Sequence, residues 1–137
     1  MSFISSTSSL VEKVWWRGAC GVTLYQDLVK EGGFESHSGS RYPRNEGWHR
    51  VDFEPRSRFE DIFGKISVMV NSYHHQGVRL PGKGCEIKGK SEDGVTEAIE
   101  VMNHPFALAV QWHPEMMFDS EEQVKLLASF GDAAKKF

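Results

Sequence analysis

His113 and Glu115 are the residues of this chain whose types and spacing best suit proton transfer. They flank Pro114, which pushes the residue before it out of helical geometry, so His113 is expected to be extended. In an extended chain residues i and i+2 point to the same side. The carboxylate can then meet an imidazole nitrogen, fix its tautomer and stabilise the imidazolium, as a general base requires. The apolar run from Phe106 to Trp112 reads as a strand. The exit of a strand in an open α/β sheet is a usual place for such a site. The tripeptide alone more often marks a structural histidine.

Other residues offer less. Cys20 stands in Arg17-Gly18-Ala19-Cys20-Gly21, and Cys85 follows Gly84. Two cysteines in a chain of this length do not make a disulfide framework, so both are read as reduced, packed thiols. His49, His74, His75, His113 and Glu115 match no standard zinc spacing. Adjacent His74 and His75 would point to opposite faces of a strand. No metal and no cofactor is expected. Trp15 is assigned to the core, and Trp16, if exposed, to an interface.

The elements that must position these groups follow from pattern and punctuation. Residues 1–7 are small and polar. Ser8 or Ser9 can cap a helix to about Gly18, with Leu10, Val11, Val14 and Trp15 inward. A short apolar segment, 21–29, precedes a loop over 31–47, long enough to suggest a functional role. Strands are expected at 49–53, at 66–73 as a buried run, at 85–90, at 95–101 and at 106–112. Asp93-Gly94 joins the strands at 85–90 and 95–101, and Pro81-Gly82-Lys83-Gly84 makes another turn. Ser57 with Glu60 caps a short helix, 58–63, that stops at Gly64. Ser120 with Gln123 caps a terminal helix whose inner face is Val124, Leu127, Ala128 and Phe130. The order predicts an α/β layered domain with most of its sheet in the second half.

Composition narrows the function. The chain has 137 residues, 39% hydrophobic and 26% charged, with net charge -3. That suits one packed domain. The basic residues are scattered, so no nucleic-acid groove is expected. No apolar run approaches the roughly 20 residues that cross a bilayer. The serine-rich start has neither a basic leader nor an apolar core, so no signal peptide is read and a cytoplasmic protein is expected.

Two longer words sharpen the reading: Val110-Gln111-Trp112-His113-Pro114-Glu115 and Asn71-Ser72-Tyr73-His74-His75-Gln76. With them, in order, go Thr23-Leu24-Tyr25-Gln26-Asp27-Leu28, the stretch from His49-Arg50-Val51 to Ser57 with Ile62-Phe63-Gly64, and Asp93-Gly94-Val95-Thr96-Glu97-Ala98-Ile99. Together these resemble the class I glutamine amidotransferase superfamily, most nearly its γ-glutamyl-γ-aminobutyrate hydrolase branch of cysteine peptidases. The resemblance covers about residues 18–130, leaving 1–17 as a divergent start to a single domain. It implies a flavodoxin-like layered domain, with a mixed sheet and flanking helices, from which the N-terminal half of the parent fold is absent. It also implies hydrolysis of a γ-glutamyl amide. A cysteine thiolate attacks, His113 moves protons, Glu115 orients it, and Ser72, His74, His75 and Gln76 line the substrate pocket.

In the family the nucleophile stands roughly a dozen residues before the Thr23 block, on a strained glycine-flanked strand-to-helix turn. By that register it falls near Leu10, where the chain has neither cysteine nor glycine. Cys20 falls about ten positions late by the same register, away from His113, with Ser8 and Ser9 weaker still. Three functions follow: a hydrolase whose nucleophile comes from Cys20 or a partner chain, a binding or oligomerisation module that keeps the pocket alone, or a recombined fragment. All three leave a sheet edge that the parent fold would cover. Exposed edges invite pairing, so a homodimer or a complementing partner chain is expected, through that edge or through Trp15 and Trp16.

Overall fold

A computed structural model describes residues 21–39, 42–103 and 106–136. The expected helix over 8–18, with Leu10, Trp15, Trp16 and Cys20, lies outside the described residues. The elements run β1 (Thr23–Tyr25), α1 (Leu28–Gly32), β2 (His49–Phe53), α2 (Arg58–Phe63), β3 (Ser67–Val70), β4 (Gly77–Leu80), β5 (Cys85–Ser91), β6 (Thr96–Val101), β7 (Leu108–Val110) and α3 (Glu121–Lys136). A single 3-10 turn, Pro114–Met116, follows β7.

Five strands form one sheet in the order β3-β2-β5-β6-β7, and β1 pairs with β4 in a separate ribbon. The α/β layering with flanking helices is the one expected. All the described strand pairs are antiparallel, so these strands do not supply the mixed character expected of the sheet. One sheet face meets α2 and α3 over Val51, Phe53, Phe59, Phe63, Leu108, Val110, Trp112, Leu126 and Phe130. The other meets the ribbon, through Ile99 and Cys85 against Val22, Leu24 and Val78. Alternation along β6 divides these faces: Ala98 packs in the helix-side core and Ile99 in the ribbon-side core. Glu97 shares the ribbon side with Ile99.

Several local readings hold to the residue. β2 and α2 begin and end where expected, and Ser57 accepts from the Glu60 amide at 3.2 Å. Gly64, at φ +73, closes α2 in the left-handed conformation. Others need correction. The run 66–73 is regular only over β3, an outer strand with Met69 half exposed, so it is not a fully buried strand. The inner face of α3 is Gln123, Leu126, Phe130 and Ala133, while Val124 and Ala128 face outward. Gln123 does not cap the helix. Its side chain is buried and accepts from Trp112 Nε1 at 2.8 Å, because an indole N–H sealed in the core needs a partner. Cys85 is disulfide-bonded, contrary to the expected pair of reduced thiols. The other cysteine of the sequence, Cys20, lies outside the described residues.

The sheet curls. β3 and β7 are its two outer strands, and both run toward the same end. Just beyond them stand Asn71 and His113. The Asn71 side chain receives the His113 amide on Oδ1 at 2.8 Å, and its Nδ2 donates to the His113 carbonyl at 3.0 Å. One asparagine thus joins the exits of strands that are four places apart in the sheet.

Candidate functional site

His113 is buried, with extended-side dihedrals of φ -111 and ψ 81, and caps the turn that Pro114 begins. That turn brings Glu115 back, and its Oε1 lies 2.9 Å from His113 Nδ1. The pairing is the one expected, although a 3-10 turn achieves it and not a continuous extended chain. Burial alone would raise the Glu115 carboxyl. The hydrogen bond to His113 outweighs it and holds the group below its ordinary range. Glu115 is itself half exposed, so it can orient the ring while still meeting water. With Nδ1 engaged, Nε2 is the nitrogen left for proton transfer.

The clamp beneath this ring comes from Asn71. Besides holding both backbone groups of His113, its Nδ2 donates to the Arg44 carbonyl at 2.8 Å. Tyr73 lies edge-on to the imidazole at 6.2 Å between ring centres. Its hydroxyl donates to the Tyr42 carbonyl at 2.8 Å, and the Arg44 guanidinium lies over its ring, 5.4 Å from the centre. Replacing Asn71 by alanine leaves the His113 amide and two carbonyls without these bonds. A loss of about 2–4 kcal/mol is expected, read as a lower urea midpoint with unchanged slope.

The rest of the 71–76 block goes elsewhere. Ser72 and His74 are buried away from solvent, His75 is exposed, and Gln76 bonds the Gln26 side chain at 3.0 Å. Ser72 Oγ donates to the His37 carbonyl at 2.9 Å. The His74 amide donates to the same carbonyl at 3.0 Å. These bonds draw the loop expected over 31–47 onto the sheet and deliver His37 into a second, buried cluster. Its other members are His49, His74, Asp93 and Glu97. His37 Nδ1 lies 3.2 Å and His74 Nε2 3.5 Å from the same Glu97 oxygen. His37 Nε2 meets Asp93 at 2.9 Å.

The charges in this cluster follow from those distances. Burial favours a neutral Glu97, but the facing imidazoles of His37 and His74 prevail and hold its carboxyl at about 2. Burial likewise favours neutral His37, yet Glu97 and Asp93 leave it above its ordinary value. His49 is the opposite case. Its burial dominates and keeps it below. Sequence reasoning had named His49 and His74 but not His37, Asp93 or Glu97 as members of a site. The long polar loop was the available signal for His37.

The Peptidase C26 family profile matches residues 17–115, and the chain belongs to that family. It is 52% identical over 68 residues to γ-glutamyl-γ-aminobutyrate hydrolase PuuD of Escherichia coli (strain K12), over 49% of this chain and 27% of that protein. It is 37% identical over 94 residues to a glutamine amidotransferase-like protein of Rickettsia prowazekii (strain Madrid E), 68% of this chain and 34% of that protein. Among solved structures, a glutamine amidotransferase from Thermotoga maritima superposes with a TM-score of 0.50 at 17% identity. The match spans 98% of this chain and 48% of that one, and it shows the shared fold. The chain therefore spans about a third of the length of the relatives it matches by sequence.

Proposed function

We propose that this chain carries the histidine–glutamate half of a γ-glutamyl amide hydrolase site and is inactive by itself. The observation that carries the reading is the 2.9 Å pair of His113 and Glu115, clamped at the exit of β7 by Asn71. In the reaction, a thiolate would attack the amide carbon, and its proton would pass to His113 Nε2. His113 would return that proton to the leaving amine as the C–N bond breaks, and water would then release glutamate from the thioester. Glu115 would keep the ring oriented and stabilise the imidazolium. Family register assigns the nucleophile's place to Leu10, which cannot perform the attack. Without that nucleophile, most of the rate of such a site is lost.

Support for a partner comes from β3. Among the described strands it is an outer one, with Met69, and Ile66 just before it, half exposed. A second copy, or a chain bearing the missing nucleophile, would pair there. His75 and Gln76, the more exposed members of their block, are then the ones offered to a γ-glutamyl ligand. The alternative is a binding or oligomerisation module that keeps the fold without the reaction.

Glutamate release from γ-glutamyl amides decides between these. The purified chain alone is expected to release none above buffer. Mixed with a chain that supplies a glycine-flanked nucleophilic cysteine, it should gain activity that His113→Ala abolishes. Release by the lone chain, lost in both Cys20→Ser and His113→Ala, would establish Cys20 as a relocated nucleophile and overturn the proposal. A folded chain that binds a γ-glutamyl amide but never gains activity on mixing supports the module.

A further inference from the structure

The cluster around Glu97 lies apart from the His113 pair and takes no part in the reaction above. His37, His49 and Glu97 each offer a donor atom, all within 4.8 Å of one another. In a tetrahedral zinc site with bonds of about 2.0–2.1 Å, neighbouring donor atoms stand about 3.3 Å apart. The contacts of His37 Nδ1 and His74 Nε2 with Glu97, at 3.2 and 3.5 Å, already have that spacing.

The outer bonds of the rings fix which nitrogens face inward. His74 Nδ1 lies 2.7 Å from the Gln76 carbonyl, which can only accept, so Nδ1 carries a proton. In the neutral ring the lone pair is then on Nε2, facing a carboxylate. His37 meets Asp93 through Nε2, and its Nδ1 faces Glu97 and lies 3.3 Å from Ser72 Oγ. With both rings neutral, two lone pairs and a carboxylate converge in a buried space, and a bound cation supplies the positive charge that a protonated His37 carries in its absence. His49 Nε2, His74 Nε2 and both Glu97 oxygens are buried without a hydrogen-bond partner among the described residues. Imidazoles held on the outside by a carboxylate or a carbonyl, with the inner nitrogen open, are the usual support of metal ligands.

We propose that His37, His49 and Glu97, with His74 as the fourth donor, bind one zinc ion per chain. Asp93 is a positioning residue, orienting His37 through its Nε2. A cavity of about 50 Å³, lined by His37, His49, Trp48, Arg50 and Asp93 among others, gives the ion its way in. The donor set of nitrogens and one carboxylate suits zinc and leaves no position open, as in a structural site. The ion would tie the loop at His37 to β2, β6 and the segment after β3.

The test uses the untagged full chain, stripped with a chelator and titrated with Zn²⁺ against a chromophoric competitor, with Co²⁺ absorption as the spectroscopic probe. One equivalent should bind, Co²⁺ should give tetrahedral visible bands, and Tm should rise with zinc. Glu97→Gln and His49→Ala should abolish the site, and Asp93→Asn should weaken it by about 10- to 100-fold. His75→Ala, an exposed control, should leave stoichiometry and affinity unchanged. If Glu97→Gln does not fold, Asp93→Asn, on a partly exposed turn, supplies the comparison. A folded wild-type chain that binds no zinc at micromolar concentration overturns the proposal. Equal binding by wild type, His49→Ala and Asp93→Asn overturns it as well, since the ion would then sit elsewhere.

Discussion

Glu97→Ala is expected to destabilise the chain by about 3–5 kcal/mol, because it removes one partner of a buried ion pair and leaves the other. The side chain is fully buried, and His37 faces it at 3.2 Å from a loop with no regular structure of its own. The loss should appear in urea unfolding at neutral pH with chelator present, so that metal linkage does not enter. Acid titration should separate charge from packing. The folded-state pKa of Glu97 is depressed, to about 2 from 4.5, so its contribution is complete above 4.5 and lost as pH falls through 2. The alanine variant should lose that part of the acid slope. His49 adds in the same direction: its lowered value gives a contribution present above 6.5 and lost on acidification. His37, raised, contributes below 6.5 and loses its contribution as pH rises through its folded value. A wild-type stability profile flat between pH 4.5 and 2 would contradict this account of the cluster.

Gly39→Ala should have an effect of comparable size by a different route. Gly39 sits at φ +65, a conformation that costs an alanine about 1–2 kcal/mol. Its added Cβ would also stand 1.9 Å from the Ser72 carbonyl oxygen, which is backbone and has little room to yield. The loop must lift, and with it go the bonds that the His37 carbonyl receives from Ser72 and His74. A total loss of about 3 kcal/mol or more is expected. The stacked pair of Tyr42 and Trp48, at 4.5 Å, lies beside this approach and offers a fluorescence readout of the displacement. Unchanged unfolding and unchanged Trp emission in the variant would mean that the loop is not held against Ser72.

Much of the fold was legible because its signals are local. Ser57, Glu60 and Gly64 delimit α2 by capping chemistry that depends only on near neighbours. Asp93-Gly94 turns β5 into β6, with Gly94 at φ +92. The ribbon was not legible. Gly77-Val78-Arg79-Leu80 has no clear alternation, and β4 exists because β1, more than fifty residues earlier, lies beside it. The face of α3 was misread because the pattern gives a buried glutamine no weight, and only the indole of Trp112 explains it.

The candidate site divides in the same way. His113 and Glu115 are two residues apart, so their meeting is a local event. Glu97 lies in β6, where a carboxylate in the sequence reads as solvent-facing, and its burial depends on partners far away in the sequence. His37 stands among serines and glycines without any period. Its place is decided by Asp93, Ser72 and His74, which are 35 or more residues distant.

The clasp between Asn71 and His113 bears on how this domain breathes. The outer strands of a sheet ordinarily fray independently, each exchanging its amide hydrogens on its own schedule. Here the last residues of both margins share one side-chain amide, so neither margin can peel away without releasing the other. Amides of β3 and β7 should therefore exchange deuterium as one cooperative unit, and the His113–Glu115 pair opens when that unit opens. The geometry of the His113–Glu115 pair and the integrity of the sheet's rim become a single equilibrium, governed by one asparagine.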